Sequence, residues 1–265
     1  MKLAVIQQNI IIADLAANEE KVESSLRSAA ASGAQMAVLG EFWNSGFCPD
    51  GFDGIAQKIP GPSSNLLRKL ARELNIWIFG GSIAEKKDGK LFNTAVLIDN
   101  KGTITQKYRK VHLFPAGNGE AASFAGGDEW ALVETPLGTA GMMICFDVFF
   151  PEFARNLALR GATLLVVPAI WPAEYDESWK TLLRARAIEN CCFVVGCNCV
   201  GTNGINSYVG GSQIIAPTGE VLLSVGNQEG AFCADLDENL LEQVNKQSTI
   251  LLRRRLLDEI DDNQL

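Results

Sequence analysis

Short apolar runs alternate along this chain with longer stretches in which hydrophobic side chains recur every three or four positions. The first dense run, Leu3 to Gln8, predicts a strand, and Asn18 to Ala31 predicts a helix. In that helix Asn18 takes the N-cap, Val22, Leu26 and Ala29 share one face, and Gly33 lies just past the end. Met36 to Glu41 is the next strand. Ser63 then caps a helix whose buried face carries Leu67, Leu70, Ala71 and Leu74, and strands follow over Trp77 to Ile83 and Phe92 to Ile98. The second half repeats the alternation. Strands are expected over Gly141 to Cys145, Thr163 to Ile170 and Cys192 to Val200, with helices over Pro151 to Arg160 and Ser178 to Asn190. Closing strands fall near Ser212 to Ile215, Val221 to Val225 and Ala231 to Asp235, ahead of helices at the C-terminus and a frayed end from Asp261 to Leu265. Such alternation implies an α/β layered fold.

Composition sharpens this picture in three ways. The chain has 265 residues, 47% of them hydrophobic, enough to bury a sizeable core, and no linker, repeat or low-complexity tract divides it. A single domain over residues 1–265 is expected, with a helical extension from about residue 238. The net charge of −8 disfavours a polyanionic partner, so no nucleic acid is expected. The N-terminal run MKLAVIQQNI is too short for a signal segment, and no stretch approaches the ~20 apolar residues of a membrane span. A cytosolic protein without a membrane partner is the expectation. Seven cysteines, an odd number, fit reduced thiols better than a disulfide framework.

Candidate chemistry gathers at the ends of predicted strands. Glu41 ends MAVLGE, Lys110 ends ITQKYRK, and Cys145 ends the apolar run of GMMICFDVFFPE. Open sheets place reactive groups at such ends. The helix expected soon after Cys145 favours a thiolate there through its N–H groups and dipole. Glu41 is flanked by small or apolar Leu39, Gly40, Phe42 and Trp43, a setting that raises a carboxylate's pKa and suits a proton shuttle. Arg109 and Lys110 point to opposite faces of an extended segment, so only one of them reaches a common site.

At these residues the chain resembles the nitrilase, or carbon-nitrogen hydrolase, superfamily. The resemblance is carried by GEFWNSGF around Glu41, YRKVHLF around Lys110 and CFDVFFPE around Cys145, and extends to GATLLVVPAIWP, RARAIEN and GSQIIAPTGEVL. It implies a four-layer αββα sandwich of the nitrilase type and a cysteine-dependent amidase acting on a small-molecule amide. It also implies Cys145 as nucleophile, Glu41 as general base and acid, Lys110 and the Phe146 N–H as oxyanion donors, and Glu120, from GNGEAASFAGG, in an assisting role. A homodimer or higher homo-oligomer, associated through helices, follows from the same resemblance. Hydrolysis of nitriles or N-carbamoyl groups uses the same three residues and stays open. One position departs from the family pattern: Phe149 stands where an arginine is usual.

Plainer roles compete at each position. The lone histidine, His112, is expected to make a structural hydrogen bond. Cys191, Cys192, Cys197 and Cys199 lack zinc spacing and a spare histidine, so they are expected to fill the core. No phosphate loop, dinucleotide glycine pattern or metal motif occurs, so no cofactor and no metal is expected. Arg184, Arg186 and Glu189 read as ion pairs on a helix or as braces of the site, and Arg253, Arg254 and Arg255 as a solvated face. Phe42, Trp43 and Trp171 are candidate pocket residues because they sit beside strand ends. A noncatalytic scaffold would be expected to lose one of Glu41, Lys110 and Cys145, and a redox protein to carry C-x-x-C; neither holds here.

Overall fold

The computed structural model describes residues 1–115, 119–203, 206–237, 239–247 and 250–251. Arg253, Arg254, Arg255 and the segment Asp261 to Leu265 lie outside the described residues.

Strands and helices follow one another much as the periodicity predicts. The first half contains β1 (Lys2–Gln7), α1 (Leu15–Ala31), β2 (Met36–Leu39), α2 (Phe52–Ile55), α3 (Pro62–Leu74), β3 (Trp77–Lys87), β4 (Lys90–Ile98), β5 (Ile104–Arg109) and α4 (Glu120–Ser123). The second contains β6 (Leu132–Thr135), β7 (Gly138–Met142), α5 (Pro151–Leu159), β8 (Leu164–Pro168), α6 (Asp176–Asn190) and β9 (Phe193–Cys197). The hairpin β10 (Val200–Asn203) and β11 (Asn206–Val209) follows, then β12 (Gln213–Ile215), β13 (Val221–Ser224), β14 (Gly230–Asp235) and α7 (Asn239–Gln247).

Two six-stranded sheets result, in the orders β14-β1-β2-β3-β4-β5 and β13-β12-β9-β8-β7-β6. Each has three parallel strands at its centre, β1, β2 and β3 in one and β7, β8 and β9 in the other, with antiparallel strands outside them. Alternation along a strand assigns side chains to layers. In β1, Leu3 and Val5 enter the core shared with the second sheet, while Ala4 and Ile6 pack with Val22 and Leu26 of α1 and Leu67 and Leu70 of α3. The second sheet turns its outer face to α5 and α6 through Phe153, Leu157, Trp179 and Leu183. The architecture is therefore the αββα sandwich.

Several local expectations need correction. Asp14, not Asn18, caps α1, its carboxylate accepting from the Ala17 N–H at 3.1 Å. Asn18 is buried and its amide ties down Ile11 and the Asn44 carbonyl. Gly61 precedes α3, and the Ser63 hydroxyl meets Glu19, Asn44 and Gln57 instead of a backbone donor. Strand β7 stops at Met142, three residues before Cys145.

Candidate active site

The C-terminal ends of β2 and β8 meet where the two sheets face one another. Gly40 sits between them, and the Glu41 N–H donates to the Ala169 carbonyl across the join at 3.3 Å. A register shift between Phe79 and Ser82 in β3 brings a second backbone alongside. Only glycine fits at position 81, where φ is +54° and a Cβ would stand 2.0 Å from the Gly40 carbonyl oxygen. Ser82 then donates its N–H to that carbonyl and accepts the Phe42 N–H on its hydroxyl. Glu41 is thereby locked from both sides, followed by Phe42 with a left-handed φ of +44°.

Lys110 follows β5 directly and is 1% exposed. Its ammonium contacts Glu41 Oε1 at 2.8 Å and Glu120 Oε2 at 2.6 Å. Asn93 of β4 closes the network, its Nδ2 donating to Glu41 Oε1 at 2.8 Å and to Glu120 Oε1 at 2.6 Å. The one remaining carboxylate oxygen, Glu41 Oε2, also has a partner, and Glu120 Oε2 has a second. Ile170 N–H reaches Glu41 Oε2 at 2.9 Å, and Phe114 N–H reaches Glu120 Oε2 at 3.1 Å. Burial by itself would depress the lysine's proton affinity, but the charges of Glu41 and Glu120 outweigh it and hold Lys110 firmly cationic. The pKa of Glu120 is raised as well, by burial and the Glu41 charge, despite Lys110 and Asn93.

Cys145 opens a 3-10 turn, Cys145–Phe149, with a left-handed φ of +46°. Non-glycine residues hold this conformation at a cost of about 1–3 kcal/mol and do so where surrounding structure fixes them. Here Asp147 does the fixing. Its Oδ2 accepts from Tyr108 Oη at 2.6 Å and from the Ile144 N–H at 2.8 Å, and its Oδ1 accepts the His112 N–H at 3.0 Å and meets His112 Nδ1 at 2.8 Å. His112 thus makes the structural hydrogen bond expected of it. On the far side Arg186, 5% exposed, donates Nε to the Val148 carbonyl at 3.0 Å and pairs with Glu189.

The thiol's pKa stands well above the usual range, first from burial and then from the Glu41 charge. The thiolate expected from a nearby helix start is not the resting form. Lys110 pulls the other way but loses to burial and Glu41, and α5 begins only at Pro151. The Phe146 N–H lies in the first turn after Cys145, where backbone donors lack partners within the helix.

The candidate pocket residues separate. Trp171 is stacked on Phe149 at 5.3 Å, next in sequence to the Ile170 N–H that holds Glu41. Phe42 joins a satellite cluster with Phe52 and Phe124. Trp43 is wholly buried in the layer beneath α1 and α3 and belongs to the packing there. Asn93, Ile170 and Asp147 were not singled out from sequence. The visible signals were slight: a polar residue inside the apolar run Phe92 to Ile98, and an acid two positions after Cys145. Cys192, Cys197 and Cys199 are buried as core fillers, and among the described residues no group of His, Cys, Asp and Glu is arranged to hold a metal ion.

Comparison with known proteins agrees with this architecture. The chain is 37% identical over 204 residues to a 2-oxoglutaramate amidase of Bacillus subtilis, covering 77% of this chain and 78% of that one. It is 34% identical to an omega-amidase of Homo sapiens, covering 96% and 95%. Among solved structures, a CN-hydrolase superfamily protein of Xanthomonas campestris with an arsenic adduct in its active site superposes with a TM-score of 0.90, 29% identity and coverage of 97% and 98%. A variant of the amidase from Nesterenkonia sp. AN1 superposes at 0.85, with 26% identity and coverage of 96% and 94%; it carries the acetamide moiety of fluoroacetamide on its active-site cysteine. The carbon-nitrogen hydrolase family profile matches residues 2–246, and this chain belongs to that family.

Proposed function

We propose that the protein hydrolyses the carboxamide of a small molecule through a thioester on Cys145. Glu41 takes the thiol proton as Sγ bonds to the amide carbon, and the carbonyl electron pair moves onto oxygen. That oxyanion is stabilised by the Lys110 ammonium and the Phe146 N–H. Collapse breaks the C–N bond, Glu41 returns the proton to nitrogen, and ammonia leaves. Water then gives a proton to Glu41 and adds to the thioester; collapse breaks the C–S bond, the proton returns to sulfur, and the acid departs.

The high proton affinity of the thiol suits this order of events. A neutral thiol avoids a buried anion beside Glu41 at rest, and its proton moves only when the amide carbon is there to receive the sulfur. Glu120 keeps the lysine cationic and in place, and so assists without exchanging protons with substrate.

One convergence supports this reading above all: a lysine ammonium within 2.8 Å of Glu41, with both charges close enough to the Cys145 thiol to act on its proton affinity. The test is ammonia release from a panel of small amides, nitriles and carbamoyl compounds. Wild-type protein is expected to release ammonia from amides, and Cys145→Ala to release none; unchanged release by Cys145→Ala would overturn the proposal.

Two further readings belong here. Leu159 of α5 and Ile188 of α6 are 45% and 43% exposed on the outer helix layer, which suits a homodimer built through those helices, measurable by sedimentation. Free thiols at Cys48, Cys145, Cys192, Cys197, Cys199 and Cys233 suit a reducing compartment, the cytosol.

A further inference from the structure

Aromatic rings gather on the segments that adjoin Cys145, Glu41 and Glu120 in the chain or through their backbone. Phe146, the next residue, meets Phe114 at 5.4 Å and Phe149 at 5.2 Å between ring centroids, and Phe149 stacks on Trp171 with only 19° between planes. This chain of rings is tied to the polar network by its backbone. Phe114 N–H donates to Glu120, Phe146 adjoins Cys145, and Trp171 follows the Ile170 N–H that donates to Glu41. Phe114 and Phe149 are 37% and 40% exposed whereas Trp171 is buried, so the rings lead from solvent toward the site.

The charges present do not suit an anionic acyl group. Lys110 is held by two carboxylates, which leaves the trio of Glu41, Glu120 and Lys110 net negative when both acids are ionised. The Arg186 guanidinium is occupied by the Val148 and Phe149 carbonyls and by Glu189. A substrate with a second carboxylate would meet rings where it needs a cation, and burying an unpaired charge is costly. An apolar acyl group would instead exchange water for ring faces, with offset or edge contacts of favourable geometry.

We propose that Phe114, Phe146, Phe149 and Trp171 form the acyl subsite, that its substrates are primary amides of uncharged apolar acids, aromatic or branched, and that Phe149 determines this preference. The inference rests on the amidase proposal. It separates this chain from its Bacillus subtilis relative, named for 2-oxoglutaramate, an amide that carries a carboxylate at its other end.

The experiment compares kcat/KM for phenylacetamide and isovaleramide with that for 2-oxoglutaramate and succinamate. Wild-type protein is expected to favour the uncharged amides at least about tenfold, the scale on which apolar pockets discriminate. Phe149→Arg is expected to shrink or reverse that ratio, and Phe149→Leu, a milder change that keeps the site apolar, to keep the preference for isovaleramide while losing part of that for phenylacetamide. A wild-type preference for the carboxylate-bearing amides, or the same ratio in wild type and a folded Phe149→Arg, would overturn the subsite. Failure of the amidase proposal looks different: Cys145→Ala would then turn over amides of both kinds.

Discussion

The two sheets of this protein share a topology and differ in what they bring to the join between them. The first sheet and its flanking segments bring charge: Glu41 after β2, Asn93 in β4, Lys110 after β5 and Glu120 at the start of α4, each bonded to at least one of the others. The second brings a thiol, backbone donors and rings: Cys145 and Phe146 after β7, Ile170 and Trp171 after β8. The difference teaches how a buried site tolerates three ionisable groups. All four carboxylate oxygens of Glu41 and Glu120 accept hydrogen bonds, three from donors of the first half and Glu41 Oε2 from the Ile170 N–H of the second, so the buried carboxylates are satisfied although the trio with Lys110 stays net negative when both are ionised. The sulfur, in turn, stays protonated because it is buried and because the Glu41 charge stands beside it.

This division can be broken at the charged side first. Lys110→Met removes the proposed oxyanion donor and leaves two buried carboxylates facing each other, so kcat/KM is expected to fall by about a thousandfold or more, measured by steady-state ammonia release. Asn93→Ala is a milder cut through the same network. It deletes a donor that favours the ionised form of Glu120, so that carboxyl's proton affinity rises and the acid limb of the kcat/KM profile moves to higher pH. The Asn93 donor stabilises the charged form of Glu120, its loss favours the proton, and Glu120 must be ionised to pair with Lys110. At the plateau the loss is expected to be about ten- to a hundredfold. An unmoved pH profile would deny Asn93 this positioning role.

On the other side, Arg186→Gln tests the brace under the Cys145 turn. The buried guanidinium leaves the Val148 carbonyl and Glu189 without their partner, a loss of about 1.5–3 kcal/mol, read as a lower denaturant midpoint at unchanged slope. A midpoint equal to wild type would make Arg186 an ordinary helix ion pair.

Much of this could be read along the chain, and the limits have physical causes. Glu41 and Lys110 were visible because an apolar or alternating run ends just before each, and Cys145 because an apolar run ends at it. The α/β class was legible from the alternation of strand and helix patterns, whereas the four layers were implied only by the family resemblance, because Leu3 to Ile6 of β1 are apolar on both faces. Less visible was β6, where ALVET is short and half exposed, and the hairpin β10–β11, whose Gly201, Thr202 and Asn203 carry no apolar run. Asn93 could not be separated from its neighbours, since its role depends on Glu41 and Glu120 arriving from 52 and 27 residues away. The protonation of Cys145 was misjudged from the local turn, because burial and Glu41, both tertiary effects, decide it. Trp43 stood beside the site in sequence and packs under the helices in space.

The central claim is that an acyl group passes through the Cys145 sulfur. It is tested most directly by rapid-quench peptide mass mapping with the p-nitrophenyl ester of an acid whose amide the protein hydrolyses, since the better leaving group makes thioester hydrolysis the slow step. The account predicts that the peptide containing Cys145 gains the mass of the acyl group during turnover and returns to its original mass when substrate is exhausted. Steady turnover with that peptide unmodified, or with the acyl group on another residue, would contradict it.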